Sequence, residues 1–472
     1  GEMALATRFI SPARSIVGRA GSRAFATADF PSYVLNAPAT EVSTLGNGLR
    51  VASEGGHGET ATVGVFIDAG SRYETEENNG TAHFLEHMIF KGTGKRSRKE
   101  LELEFENMGG HLNAYTSREQ TVYYAKVFKD DVPKAVEILA DILQGSKLDP
   151  ADIDRERGVI LREMEEVNSQ QEEVIFDRLH ETAYQGGGLG RTILGPEANI
   201  RSITRDHLED YIKTHYTGPR IVLAGAGAVN HAQLTELGDK HFGGLGTAPP
   251  AGKTVPSDPA LFVGSDIRIR EDGMPLAHVA ICVEGAGWTS PWAFPLMVMQ
   301  TMLGSWDRTS GAGANMTSRL AMNVAQKGLA HSLASFNTCY KDTGMFGVYA
   351  VAEPLQLDDL MYHTLHCMVR MCHYTTDEEV ECAKTQLKSA LLMQLDGSSA
   401  VFEDIGRQML TYGRRMTPAE LFARIDAVDA STVKAAAKRF IDDKDVALAA
   451  IGNVHGLPDY GWLRRRTYWL RF

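Results

Sequence analysis

Residues 83–87 read His-Phe-Leu-Glu-His. On a helix, His83 and His87 lie one turn apart on one face, so both imidazoles can reach a single metal ion. Glu86 sits beside them, placed to polarise a water on that ion. With 15 His and 60 acids in 472 residues, His-x-x-acid-His is expected about 0.06 times by chance. A merely solvated helix face is therefore the weaker reading. The chemistry such a set performs is hydrolysis.

Two imidazoles need a third ligand, and a carboxylate on a separate helix would supply it. Residues 152–167 read as that helix, with Ile153, Val159, Ile160, Met164 and Val167 as its apolar stripe. Glu156 and Glu163 stand two turns apart on one face. Glu163 is taken as the ligand, and Glu156 as the group that orients a histidine. Two imidazoles and one carboxylate leave the fourth tetrahedral position open, as catalytic zinc requires.

Four segments carry a resemblance. They are Gly-Thr-Ala-His-Phe-Leu-Glu-His-Met-Ile-Phe-Lys-Gly-Thr (80–93), Leu-Asn-Ala-Tyr-Thr-Ser-Arg-Glu (112–119), Glu-Arg-Gly-Val-Ile-Leu-Arg-Glu (156–163) and Tyr-Thr-Gly-Pro-Arg (216–220). Over nearly its whole length the chain resembles the pitrilysin/insulinase family of inverted-motif zinc peptidases. The likeness is to the branch that processes mitochondrial precursors and to the core subunits of respiratory complex III, which share that ancestry.

The resemblance implies one Zn2+ per chain, held by His83, His87 and Glu163, with Glu86 as general base. It implies an endopeptidase that removes N-terminal transit peptides, cutting after the residue that follows an arginine. Asn113, Ala114 and Tyr115 would form a sheet edge that pairs with substrate backbone. Glu173 and Asp177, one helical turn apart, can converge on a guanidinium and match the positions that receive that arginine. Phe90 matches an apolar wall of the pocket just after the cut. Tyr340 is a candidate to assist the carbonyl oxygen from the second half. The implied partners are a homologous alpha subunit in a heterodimer, basic presequence peptides, and other complex III subunits where the chain is built into that assembly. The implied location is the mitochondrial matrix, or the matrix face of the inner membrane. The alternative function is a catalytically silent structural core subunit of complex III. Silent relatives lose part of the metal motif, and this chain keeps His83, Glu86, His87 and Glu163.

Composition sets further bounds. The formal charge is −12, which does not suggest a nucleic-acid partner. Residues 3–28 hold Arg8, Arg14, Arg19 and Arg23 and no acid, the composition of a mitochondrial transit peptide. Residues 1–25 are read as that peptide, with Arg23 two residues before an expected cut at Ala24–Phe25. Five cysteines at irregular spacing argue against a disulfide framework. No apolar run approaches the roughly 20 residues that span a bilayer.

The expected fold is α+β: two homologous α/β halves, duplicated and clam-like, joined by a Pro/Gly linker. Residues 26–245 would be the catalytic half, 246–260 the linker and 261–472 the non-catalytic half. Segments 61–70, 112–115 and 219–227 parallel 277–286, 332–337 and 446–453. Where the first half has its histidines, the second has Pro295-Leu-Met-Val-Met-Gln-Thr-Met-Leu303, a packing helix with no ligand. Gly225-Ala-Gly227 follows a strand but lacks the third glycine of a dinucleotide site.

Overall fold

The computed structural model describes residues 30–311 and 316–471. The transit segment 1–25 and its Ala24–Phe25 bond lie outside the described residues.

Among the described residues, twelve strands form two six-stranded sheets. The first half supplies β1 (Glu41–Thr44), β2 (Arg50–Gly55), β3 (Thr60–Ile67), β4 (His111–Thr116), β5 (Thr121–Phe128) and β6 (Ile221–Gly227). The second supplies β7 (Ser265–Arg270), β8 (Ala277–Gly285), β9 (Ser305–Asp307), β10 (Ser332–Cys339), β11 (Gly344–Ala352) and β12 (Ala447–Gly452). The spatial orders are β1-β2-β6-β3-β5-β4 and β7-β12-β8-β11-β10-β9. Five strands correspond one to one: β2-β6-β3-β5-β4 repeats as β7-β12-β8-β11-β10. The single parallel pair falls at the same place in each, β2 with β6 and β7 with β12. The duplication read from the sequence is this five-stranded unit. No helix or strand interrupts 246–260, the Pro/Gly stretch between them.

Both faces of each sheet are buried, so the inner strands read as nearly unbroken apolar runs. On β8, Val279, Ile281 and Val283 enter one core and Ala280 and Cys282 another. On β6, Ile221 and Leu223 alternate in the same way with Val222, Ala224 and Ala226.

One cover on each sheet comes from the other half. Helix Gln171–Ala183, from the first half, packs on β12, β8 and β7, while helix Ser398–Thr411, from the second, packs on β6, β3 and β2. Two glycines permit the second contact. A Cβ at Gly406 would stand 2.0 Å from the Phe66 ring, and one at Gly64 would meet Phe402 at 2.7 Å. A mid-helix glycine costs about 1 kcal/mol, which the seating of Phe66, Phe402, Ile405 and Met409 in one core offsets. All five cysteines are free thiols.

The outer edges differ. In the second half β9 pairs with Ser332–Ala334 of β10. In the first, β4 pairs with β5 alone, and among the described residues its other edge carries no strand.

Candidate metal centre and substrate edge

Helix Thr81–Ile89 carries the His-Phe-Leu-Glu-His motif. Phe84, Leu85, Met88 and Ile89 are fully buried in the first-half core. The motif's polar residues therefore face the neighbouring helix Pro150–Ser169 and β4. Nine residues make a weak helix on their own, and the entry is fixed by a buried acid. Glu74, 1% exposed, accepts from Ala82 N at 2.7 Å, Gly80 N at 2.9 Å and Asn79 Nδ2 at 2.8 Å. Burial pushes its carboxyl upward in pKa, and those three hydrogen bonds oppose the rise. Gly80 turns the chain with φ +101°, and a Cβ there would strike Leu194 O at 2.7 Å.

Helix Pro150–Ser169 begins with Asp149 capping Ala151 N and with proline in its first turn. It delivers Glu156 and Glu163. Glu163 Oε1 stands 3.5 Å from His83 Nε2, and Oε2 stands 3.0 Å from His87 Nε2. One donor atom from each of the three lies within 4.8 Å of the others. Ligand atoms on a tetrahedral zinc with bonds of about 2.0–2.1 Å would lie about 3.3 Å apart, so the set fits that ion. Charge agrees. His83 and His87 hold the Glu163 carboxyl far below the usual range. Burial lowers the His87 pKa, but Glu163 and Glu156 outweigh it and leave it raised. The pocket asks for positive charge at its centre.

Around this centre, Glu156 Oε2 lies 3.3 Å from His87 Nδ1 and Oε1 lies 2.7 Å from Lys91 Nζ. Lys91, one turn beyond His87, thus fixes the acid that orients the imidazole. Glu86 Oε2 accepts from Thr116 Oγ1 at 2.5 Å. That bond links the proposed base to the last residue of β4.

The remaining residues separate into groups. Ala114 N donates to Asn113 Oδ1 at 2.9 Å, so this amide points away from β5, toward the open edge. Asn113 Nδ2 lies 3.3 Å from Tyr124 Oη. Tyr115 donates its hydroxyl to Glu403 of the exchanged helix. Phe90 ends the metal helix with its ring edge-on to Tyr123 at 6.3 Å. Glu173 and Asp177 line a cavity of about 470 Å3 together with Met164 and Asn168.

Two residues are already engaged. Asp177 Oδ1 takes Arg118 Nη2 at 2.6 Å, while Glu173 has no ion-pair partner among the described residues. Tyr340 is 8% exposed, and its hydroxyl meets His180 Nε2 at 2.5 Å. His180 Nδ1 donates to Phe176 O at 2.6 Å. Burial holds this imidazole neutral, with its pKa well below the usual value, so Nε2 accepts from Tyr340. In this structure Tyr340 joins the two halves at their seam.

Sequence reasoning did not assign roles to Glu74, Thr116, Arg118 or Glu403, whose contacts with the site are made by the tertiary fold and leave no local pattern. Lys91 was findable: it follows His87 by four, on the face of Glu156's target.

Comparison with known proteins gives a consistent result. The family model described as Insulinase (Peptidase family M16) matches residues 50–197, and Peptidase M16 inactive domain matches 202–387. The chain is 56% identical over 452 residues to the mitochondrial-processing peptidase subunit beta of Mus musculus, covering 96% of this chain and 92% of that one. It is 57% identical over 432 residues to that of Lentinula edodes, covering 90% and 93%. A solved structure titled Complex III2 from Candida albicans, Inz-5 bound, contains a chain similar to it with a TM-score of 0.81 and 26% identity, covering 91% of this chain and all of that one.

Proposed function

Because the chain belongs to the insulinase family of peptidases, peptidase family M16, we propose that it is the metal-bearing subunit of a mitochondrial processing peptidase. Its substrates are basic N-terminal presequences, cut after the residue that follows an arginine. The carrying observation is the convergence of His83, His87 and Glu163 beside Glu86 and an open strand edge. A zinc ion held by those three ligands would supply the charge that acidifies water and polarises the scissile carbonyl.

The chain's own groups do the rest. An extended peptide adds to β4 as a further strand, with Ala114 N–H among the donors on that edge. Glu86 takes the proton of the attacking water and passes it to the leaving amine. Thr116 keeps the Glu86 carboxylate turned toward the metal. Lys91 and Glu156 hold the His87 ring in one tautomer. Glu173 takes the substrate arginine in a charge-assisted hydrogen bond. Since Arg118 reaches Asp177 from the residue pair that follows β4, the peptide's N-terminal side lies toward that end of the strand. The peptide therefore runs antiparallel to β4.

The curated relatives are named as beta subunits, which supports a homologous alpha chain as partner and a mitochondrial location. Similarity to a chain of a complex III structure supports a second setting for the same protein, as a core subunit on the matrix face. Residues 1–25 are the transit peptide of this reading, removed at Ala24–Phe25.

The test uses the chain purified with its partner. Glu86→Gln is expected to retain zinc and lose presequence cleavage, while His83→Ala and Glu163→Ala lose zinc. Cleavage should be poor without the partner. Full zinc and full activity in Glu163→Ala would refute the ligand set, and an intact wild-type pair that binds zinc but cleaves nothing would favour the silent core subunit.

A further inference from the structure

Consecutive residues of the open strand are tied in opposite directions. Thr116 reaches Glu86 on one face of the sheet. That face also carries Leu112 and Ala114, packed against the metal-side core. Tyr115 points to the other face and packs with the cluster of Phe66, Phe402 and Ile405. Its hydroxyl donates to Glu403, on the helix that the second half lends to the first. Edge strands held by one neighbour are the most easily displaced part of a sheet. Among the described residues β4 has β5 alone as a strand neighbour, so its height above the metal helix depends on side chains.

Glu403 is suited to that task and costly for any other. It is half-buried on a helix clamped to the first sheet at several points. Thr62 Oγ1 meets Ser398 Oγ at 2.9 Å, Arg50 Nη1 donates to Met409 O at 2.6 Å, and Tyr124 lies 5.6 Å from the Phe402 ring. Burial raises the Glu403 pKa, and the Tyr115 hydroxyl opposes that rise. In such surroundings the carboxylate is supported by that hydrogen bond and by the nearby Arg407 charge.

We propose that Glu403, contributed by the non-catalytic half, is a positioning residue for the substrate strand. Through Tyr115 it fixes β4 against the helix that bears Glu86, and so sets the register of the bound peptide. The second half thereby takes part in substrate binding without touching substrate. The proposal rests on the reading that peptide adds to β4.

The experiment uses the chain with its partner, a presequence peptide, and the same peptide N-methylated at backbone amides near the cut. Wild type should bind methylated peptides poorly at alternate positions. Indifference to methylation at every position would refute strand addition itself. Tyr115→Phe and Glu403→Ala should each raise KM about five- to twentyfold, the loss of one charge-assisted hydrogen bond. In both, kcat should stay within about threefold, zinc content should be unchanged, and minor cuts one residue away should appear by mass spectrometry. The double variant should be no worse than either single one, because the two residues act as one unit. Glu403→Gln keeps an acceptor and should restore most of the affinity. Unchanged KM in Tyr115→Phe, additive effects, or a parallel fall in zinc and thermal midpoint would overturn the proposal.

Discussion

Glu173 and Asp177 stand one turn apart, yet only one has charge left to give. Arg118 occupies Asp177 and also donates to Leu189 O at 3.1 Å. Glu173→Gln is therefore expected to weaken cleavage of peptides with arginine two residues before the cut by about ten- to a hundredfold. Peptides lacking that arginine should be cut as before. Asp177→Asn should act mainly on stability, lowering it by about 1–2 kcal/mol, since Arg118 is buried and Asp177 is partly exposed. Matched kinetics and urea melts of the two variants separate these outcomes. Equal specificity losses would return both residues to the arginine site. The sequence displays the spacing of 173 and 177 plainly. It cannot display Arg118, whose pairing crosses 59 positions and is set by where the strand after the metal helix ends. Tyr340 illustrates the same limit. Its type suits a carbonyl-binding role, but its hydroxyl faces His180.

At the scale of elements, the nine-residue metal helix depends on its anchor. Glu74→Gln keeps the shape of the side chain but turns an amide donor toward one of the backbone N–H groups it now receives. That exchange should cost about 1–3 kcal/mol. It should also speed zinc loss to a chelator, because Ala82 N is the neighbour of His83. Zinc release at the wild-type rate, with an unaltered melt, would show that the helix stands without it. The metal helix was legible from the one-turn spacing of its histidines, and helix Pro150–Ser169 from the apolar stripe that Ile153, Ile160 and Met164 draw along an otherwise charged segment. β4 was legible as a strand. Its place at a sheet edge came only through the family resemblance, because strand order is decided by long-range pairing and leaves no local trace. Nor is there such a trace of β9, three residues that cover the corresponding edge in the second half.

Across the whole molecule, the repeat of the strands revealed two halves, but the exchanged helices left no sign in the sequence. An amphipathic helix has the same pattern whichever sheet it covers. The exchange makes each half incomplete. Residues 26–245 made alone lack the Ser398–Thr411 cover over Phe66, Val222 and Ala224. They are expected to aggregate or to melt without cooperativity, whereas co-expression with 261–472 should recover a soluble pair. A monomeric 26–245 fragment with a sharp thermal transition would contradict this. Proteolytic nicking within 246–260 should, for the same reason, leave the halves together on a sizing column. Time adds a last consequence. A chain that appears from its N-terminus presents His83, His87 and Glu163 long before residue 398. At roughly 5–20 residues per second the gap lasts about 10–50 s. Through that interval the nearest unfolded polypeptide is the chain's own unfinished remainder, and the sheet whose edge would grip it still lacks its Ser398–Thr411 cover. Peptidase competence therefore comes last in the history of each molecule, after there is no loose length of itself left to cut.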